Sequence, residues 1–301
     1  MNVLVVGGSG FLSGHVVSVA LAAGHGVTVV TRGKRRAAEG VIAIVADRQD
    51  RAAFAGAVEA SGQKWDIAID CIGFTAGDAQ QDIDVIAPRC GHLVFVSTDF
   101  VFSPTNRPFP VDETFSRFET ELPYGRQKRE AELVILSAAG QLPVTVFRPC
   151  HIYGPGSLLG CLPKHGRDAK LIDRLKAGET LTLVGGGHFL QQPVFAPDLA
   201  RMLLSCHGNA KSAGEIFQAA GPNVVESRRF YEIIADHLGV KAAFDEERVS
   251  DFLRDKPDRK PFCTHRVYSM LKAANAGLAM PSTPLVEGLK QHVASMVGPR
   301  V

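Results

Sequence analysis

The sequence predicts an α/β protein with a doubly wound parallel sheet followed by a smaller C-terminal lobe, and three observations support this fold class. First, short apolar runs alternate with helical patterns along the first half of the chain. Second, a glycine-rich segment, VVGGSGFLSG at 5–14, joins the first apolar run to the first helix. Third, the alternation ends after Pro149, where a segment rich in glycine and proline begins.

Each apolar run is predicted to be a buried strand. The runs are VLVV at 3–6, VTVVT at 27–31, VIAIVA at 41–46, DIAIDCI at 66–72, HLVFVST at 92–98 and VTVFRP at 144–149. Such nearly continuous apolar strands are typical of a parallel sheet covered by helices on both faces, and right-handed crossovers then give a Rossmann sheet. We therefore predict a Rossmann domain at 1–150. The lobe at 151–301 is expected to return some of its segments to that sheet.

The glycine-rich segment lies where a doubly wound sheet binds a dinucleotide. Glycines let the backbone approach a pyrophosphate, and the N-terminus of the following helix faces its charge. The third glycine of the usual pattern is replaced by Ser13, which is followed by Gly14. The residues predicted to contact the dinucleotide here are Gly7, Ser9, Gly10, Phe11 and Leu12.

The end of the second strand predicts which dinucleotide is bound. An acidic residue at this position takes the ribose hydroxyl of NAD, whereas arginine accommodates the additional phosphate of NADP. The segment 31–36 reads TRGKRR and has no carboxylate. We therefore predict NADP(H), with Arg32 on the 2′-phosphate, Lys34 or Arg35 as a second charge and Asp47 near the adenine. The alternative is a solvated basic face or a weak nucleic-acid patch.

Tyr124 and Lys128 are predicted to share one face of a helix that starts within LPYGRQKREAEL. Residues four apart are neighbours on a helix, so the ammonium group is expected to favour the phenolate and to let the tyrosine move a proton near neutral pH. Taken alone, the pair also fits a solvated helix face.

Composition places the chain among ordinary globular proteins. Its 301 residues are 46% hydrophobic, with a formal net charge of +2. The six cysteines form no Cys-x-x-Cys pair, so neither a metal site nor a disulfide framework is expected. No apolar run approaches the roughly 20 residues of a membrane span, and the chain opens on a strand rather than a signal peptide. We expect a cytoplasmic protein without membrane partners.

Several motifs together resemble the extended short-chain dehydrogenases/reductases, the group of nucleotide-sugar epimerases, dehydratases and ketoreductases. The motifs are the glycine loop, VFVSTDFVF at 94–102, the Tyr124/Lys128 pair, RPCHIYGPG at 148–156, FAPDLA at 195–200 and LVEGL at 285–289. The resemblance implies that Thr98 is the catalytic Ser/Thr and Tyr124 the general acid/base. It implies that Lys128 holds the nicotinamide ribose and lowers the pKa of the tyrosine. The further cofactor contacts that it implies are Cys71, Ile72, Gly73, Pro149 and His151.

Departures from the family pattern narrow the expected reaction. STDFVF most resembles ketoreductases of the dTDP-4-dehydrorhamnose reductase kind, and Phe100 stands where the dehydratases have a glutamate. His151 and Gln191 stand where many epimerases place an asparagine and an arginine for the nucleotide diphosphate, which favours a sugar-like molecule without a nucleotide. Asp99 is either an acid near the substrate or a carboxylate capping a loop. The predicted substrate contacts are Phe74, Asp99, Phe100, His151, Gln191 and Gln192.

These observations predict an NADP(H)-dependent oxidoreductase that interconverts a ketone and a secondary alcohol. Ketone reduction needs a proton donor and a second hydrogen bond to the oxygen, which Tyr124 and Thr98 can supply. The alternatives are a sugar epimerase that retains NAD(P) and a non-catalytic, nucleotide-bound RNA-binding protein. Nucleic-acid binding is not favoured, because the net positive charge is small. Helices at about 75–88 and 122–139 resemble those that pair in dimers of the family, so a homodimer is a further expectation.

Overall fold

Seven parallel strands form the central sheet of the computed structural model, which describes residues 1–298. Residues 299–301, the end of the predicted C-terminal lobe, lie outside this description. The described residues contain the strands β1 Asn2–Val6, β2 Gly26–Thr31, β3 Val41–Val45, β4 Ile67–Asp70, β5 Leu93–Val96, β6 Val144–Pro149, β7 Ile152–Tyr153, β8 Thr180–Val184, β9 Leu190–Gln191, β10 Val194–Phe195, β11 Glu215–Ala219, β12 Val225–Glu226 and β13 Ala243–Glu247. Of these, β1 to β6 and β11 form the central sheet. The helices are α1 Phe11–Ala22, α2 Arg51–Ala60, α3 Ala76–Gln81, α4 Pro123–Ser137, α5 Leu171–Lys176, α6 Ala196–Leu204, α7 Ser227–Leu238, α8 Val249–Asp255, α9 Leu271–Ala276 and α10 Leu285–Val297.

The strand order confirms the predicted doubly wound Rossmann fold. The sheet runs β11-β6-β5-β4-β1-β2-β3, and every neighbouring pair is parallel. The order reverses between β1 and β4, and such a switch point opens a crevice at the carboxyl ends of the strands, where these sheets bind ligands. β11 comes from the second half of the chain and pairs with β6 at the edge.

Helices cover both faces of this sheet, as the side chains of β1 show. Val3 and Val5 lie in one hydrophobic cluster, whereas Leu4 and Val6 lie in another on the opposite face. Because successive side chains of a strand point to opposite faces, both faces of β1 are buried. This burial explains why the strands contain so few polar residues.

The C-terminal lobe has its own hydrophobic cluster, in which Tyr153, Phe195, Phe230 and Leu289 are buried. Its short strands pair as β7 with β10, β8 with β13 and β9 with β12. Within residues 1–298, no helix is long and apolar enough to cross a membrane.

Candidate active site

The glycine loop between β1 and α1 has the backbone shape that its sequence predicts. Gly7 and Gly8 have φ values of 121° and 73°, a region that side chains with a Cβ rarely adopt. A Cβ on Gly8 would lie 2.5 Å from Cγ1 of Val29. Gly10 caps α1, and its N–H donates to the Ser13 hydroxyl at 3.0 Å. Ser13 thus contributes a cap at the position where the usual pattern has a third glycine.

A cavity of about 500 Å³, here called the basic cavity, opens beside this loop. Its wall includes Gly7, Ser9, Gly10, Arg32, Lys34, Arg35, Asp47, Ile72 and Phe74, all predicted site residues. Arg35 donates from Nη1 to the carbonyl of Ser9 at 2.9 Å, which ties the basic segment to the glycine loop. Phe11 and Leu12 form the first turn of α1 and lie outside the wall, as do Cys71 and Gly73.

A buried charge cluster that the sequence analysis did not identify supports one side of the basic cavity. Arg48 lies in the wall and donates to Asp70 at 2.8 Å and to Asp82 at 2.9 Å. Asp70 in turn accepts the N–H groups of Ile72 and Gly73, which fixes the loop after β4. Burial and the neighbouring charge of Asp70 raise the pKa of Asp82 well above its usual value, although Arg48 opposes this shift. No local motif signals the cluster, because its partners are far apart in sequence.

A second cavity of about 250 Å³, here called the tyrosine cavity, lies where the two halves of the chain meet. Its wall contains the predicted residues Thr98, Asp99, Phe100, Tyr124, Pro149 and His151. The second half adds Arg167, Phe262 and Arg266, none of which was predicted. Fold and sequence pattern thus place the tyrosine, the threonine and the sheet edge around one space.

Tyr124 and Lys128 both lie on α4, but the structure does not join them as expected. The ammonium group of Lys128 donates to the carbonyl of Gly73 at 2.7 Å and to that of Val96 at 2.5 Å. Burial lowers the pKa of Lys128 to about 8, although Asp70 opposes this shift. The ammonium group of Lys128 donates to backbone carbonyls rather than to Tyr124, so the expectation that it lowers the pKa of Tyr124 stays a prediction.

Desolvation has the larger effect on Tyr124 and raises the pKa of its phenol above the ordinary value. The ring is 45% exposed to the open cavity, yet the surrounding protein still removes water from the hydroxyl. The Thr98 hydroxyl and the charges of Arg167 and Arg266 act in the opposite direction and lower this pKa. Tyr124 is accordingly protonated at neutral pH, the form that donates a proton.

Thr98 and Asp99 serve the local structure as well as the cavity. The Thr98 hydroxyl accepts the N–H of Phe100 at 3.3 Å and caps a short 3₁₀ turn. Asp99 is 1% exposed and accepts two hydrogen bonds from Arg266, at 2.7 and 2.8 Å, and one from the Tyr268 hydroxyl at 2.5 Å. Burial opposes its ionisation, but these partners hold the pKa of Asp99 below its usual value. Asp99 therefore joins the sheet edge to the C-terminal lobe as a paired carboxylate.

The remaining predicted substrate residues differ in position. Burial, Arg266 and Arg167 lower the pKa of His151 to about 3, so this imidazole is neutral at physiological pH. Gln192 donates to the carbonyl of Gly221 at 3.0 Å and accepts the N–H of Tyr268 at 2.8 Å. Gln191 is fully buried, and neither glutamine belongs to the wall of the tyrosine cavity. The prediction that both glutamines contact the substrate is therefore not supported by the wall of this cavity, and it stays a prediction.

Comparison with known proteins agrees with this architecture. Residues 3–220 match the model of the family described as "NAD dependent epimerase/dehydratase family". A chloroplast stem-loop binding protein of 41 kDa (form b) from Arabidopsis thaliana is 24% identical over 96% of this chain and 77% of its own length.

Solved structures of the same fold include UDP-glucose 4-epimerases from Thermotoga maritima and Thermus thermophilus, the former with UDP-glucose and the latter with NAD. Each is 20% identical to this chain, with TM-scores of 0.76 and 0.77. The alignments cover 98% of this chain and 98% of the Thermotoga protein, and 99% of this chain and 99% of the Thermus protein. The family match spans most of the chain and includes the glycine loop and the Tyr124/Lys128 pair, so this protein belongs to the NAD-dependent epimerase/dehydratase family.

Proposed function

We propose that this protein is an NADP(H)-dependent oxidoreductase that interconverts a ketone and a secondary alcohol on a sugar-like small molecule, with Tyr124 as the general acid/base. The observation that carries the proposal is the tyrosine cavity, in which Tyr124 and Thr98 share one wall at the carboxyl edge of the sheet. Phe74 lies in the wall of the basic cavity, and its ring centroid is 6.3 Å from that of Tyr124. The basic cavity and the tyrosine cavity are thus adjacent, as is required if one dinucleotide is to extend from the first cavity to Tyr124.

The basic cavity fits a dinucleotide phosphate. A side chain on Gly8 would clash with Val29, so the glycine lets the loop pass close to β2, and the N-terminus of α1 follows it, as a pyrophosphate site requires. Arg32, Lys34 and Arg35 line the wall after β2, where an NAD-specific site would carry a carboxylate. This charge pattern supports NADP(H), with Arg32 as the principal 2′-phosphate contact and Asp47 near the adenine.

The protein's contribution to the chemistry is proton transfer and orientation. A bound nicotinamide supplies or accepts the hydride. In reduction, Tyr124 donates its proton to the alkoxide that forms from the ketone, and the Thr98 hydroxyl gives that oxygen a second hydrogen bond. The phenol is protonated at neutral pH, and burial raises its pKa further, so Tyr124 holds the proton that reduction needs. Lys128 holds the loop after β4 and the end of β5 in place through Gly73 and Val96.

A sugar epimerase that retains its nicotinamide is the second candidate. Two neighbours of the same fold are named UDP-glucose 4-epimerases, and epimerisation uses the same tyrosine chemistry in both directions. The two candidates differ in whether the cofactor exchanges during turnover. RNA binding is a third candidate, and it is supported by the name of the Arabidopsis relative.

Fluorescence titration of nucleotide-free protein with NADPH and with NADH separates these candidates. We expect exchangeable binding with preference for NADPH, and Arg32→Ala is expected to reduce that preference by about tenfold or more, since a charge-assisted hydrogen bond contributes ~1.5–3 kcal/mol. Arg229→Ala is the matched control, because Arg229 is a half-exposed arginine on α7. NAD that co-purifies and does not exchange would favour the epimerase. Salt-sensitive RNA binding that persists in saturating NADPH would favour the third candidate.

Tyr124→Phe tests the chemistry directly. The ring and its packing remain, so NADPH affinity is expected to stay within about twofold, whereas turnover of sugar ketones, followed by NADPH absorbance, is expected to fall by about 10²–10⁴. Retained turnover would remove Tyr124 from the mechanism.

A further inference from the structure

The tyrosine cavity carries an excess positive charge that the proposed proton transfer does not use. Arg167 and Arg266 line its wall, and Asp99 is the one carboxylate residue among the lining side chains. Both oxygens of Asp99 accept hydrogen bonds from Arg266. Within the part of the chain that the structure describes, Arg167 forms no ion pair, so its charge is not balanced.

Arg266 also has an unused donor. Its Nε and Nη2 atoms bind Asp99, and its Nη1 atom has no hydrogen-bond partner among residues 1–298, although the side chain is 2% exposed. A buried guanidinium N–H without a partner is unfavourable, and such groups are rare in folded proteins. Because Arg266 belongs to the cavity wall, a ligand oxygen that reached Nη1 would satisfy this donor.

Arg167 is held in a backbone conformation that is unfavourable for its residue type. Its φ of 66° lies in the left-handed region, and a non-glycine residue there is often found at ligand sites. The loop nevertheless directs an arginine to the cavity wall. Arg167 is exposed, so a polar or an apolar side chain could stand at this position, and packing does not explain why the residue is charged.

The two arginines act on the groups around the reacting centre. Burial lowers the pKa of His151 most, and the charges of the two arginines lower it further, so this imidazole stays neutral and adds no positive charge. The same two charges also act on the Tyr124 phenol. The positive potential of the two arginines therefore acts on the Tyr124 hydroxyl itself.

We propose that the substrate carries an anionic group, a carboxylate or a phosphate, which Arg167 and the free Nη1 of Arg266 bind beside Tyr124. This inference rests on the proposed function, because it names the substrate class of the same site. The substrate is then a sugar acid or a sugar phosphate. The anion would balance the charge of Arg167, satisfy the unused donor of Arg266 and place the carbon to be reduced near the phenol.

The test compares matched pairs of small sugars in protein saturated with NADPH. D-Glucuronate and D-glucose 6-phosphate each differ from D-glucose at C6 and carry the two anionic groups, and binding is measured by calorimetry at constant ionic strength. We expect at least one anion to bind about tenfold or more tightly than glucose, and Arg167→Gln to weaken that anion by about ten- to a hundredfold. Whichever of the two anions binds more tightly identifies carboxylate or phosphate as the group that the site recognises.

Arg229→Gln serves as the control, since this half-exposed arginine lies on α7 and outside the cavity wall. Equal binding of glucose and both anions, no binding of any of the three sugars, or unchanged anion binding in Arg167→Gln would each overturn the inference. NADPH titration of the same samples separates the two proposals. Intact NADPH binding without anion discrimination refutes the anionic site alone, whereas loss of NADPH binding in the wild type refutes the proposed oxidoreductase.

Discussion

Replacing Asp99 by asparagine tests whether the buried ion pair holds the two halves of the chain together at the active site. The change keeps the shape of the side chain but removes its charge, so Arg266 remains buried and unpaired. Both partners are at most 2% exposed, and their contacts measure 2.7 and 2.8 Å. Removing one partner of such a pair costs about 3–5 kcal/mol.

An exposed Arg–Asp pair at a similar contact distance provides the control. Arg254 and Asp251 are 2.9 Å apart, but their side chains are 68% and 45% exposed. Water screens such a pair, so Asp251→Asn is expected to cost about 0–1 kcal/mol. The two pairs share their residue types and a similar contact distance, but Asp99 is buried and accepts two hydrogen bonds from Arg266, whereas Asp251 is exposed and accepts one from Arg254.

Urea unfolding at pH 7, followed by circular dichroism, measures both costs. Equal costs for Asp99→Asn and Asp251→Asn would refute the reasoning. The pH dependence gives a second check. Because the folded-state pKa of Asp99 is lowered, its contribution is complete above the unfolded value of about 3.9 and is lost as the pH falls through the folded value. The difference between wild type and Asp99→Asn should therefore shrink below about pH 4.

Two further changes probe the loop and the lysine. Gly8→Ala is expected to destabilise the protein by about 1–3 kcal/mol more than Gly24→Ala. The two glycines have φ values of 73° and 75°, but only a Cβ on Gly8 would clash with Val29. Equal shifts of the thermal unfolding temperature in the two variants would contradict the clash. Burial lowers the folded-state pKa of Lys128 to about 8, so its charge is lost above that pH and kcat/KM should fall there. A flat kcat/KM profile up to pH 9 would contradict the role of the charged lysine in holding Gly73 and Val96. Since the unfolded lysine keeps its proton up to about 10.4, the stability of wild type relative to Lys128→Met should rise as the pH increases from 8 to 10, and urea unfolding would show this trend.

The features that the sequence predicted correctly are those with a local cause. Apolar runs specify the strands within a few residues, although the prediction that each is buried is wrong for β3, which lies at the sheet edge with Ile42 and Val45 exposed. The glycine loop requires backbone angles that glycine adopts readily. Thr98 follows β5 at the carboxyl edge of the sheet, where ligands bind in such folds, and Tyr124 lies in the first turn of α4 beside the same cavity.

Side-chain partners far apart in the chain could not be predicted in this way. Arg48 meets Asp70 and Asp82 across 22 and 34 residues, and Arg266 meets Asp99 across 167. Each pairing depends on how helices and loops pack on the sheet, and a periodic pattern carries no information about that. The sequence shows these residues only as isolated charges.

Lys128 shows the limit of a local rule most clearly. Spacing by four residues brings its stem to the same helix face as Tyr124, but it does not decide which acceptor the ammonium group chooses. Two backbone carbonyls at buried strand ends compete for it, and an ammonium group taken out of water needs such partners. Burial has the largest effect on the Tyr124 phenol and raises its pKa above the ordinary value. An anion bound at Arg167 would offset one of the charges that lower this pKa, and the phenol would still carry its proton at neutral pH.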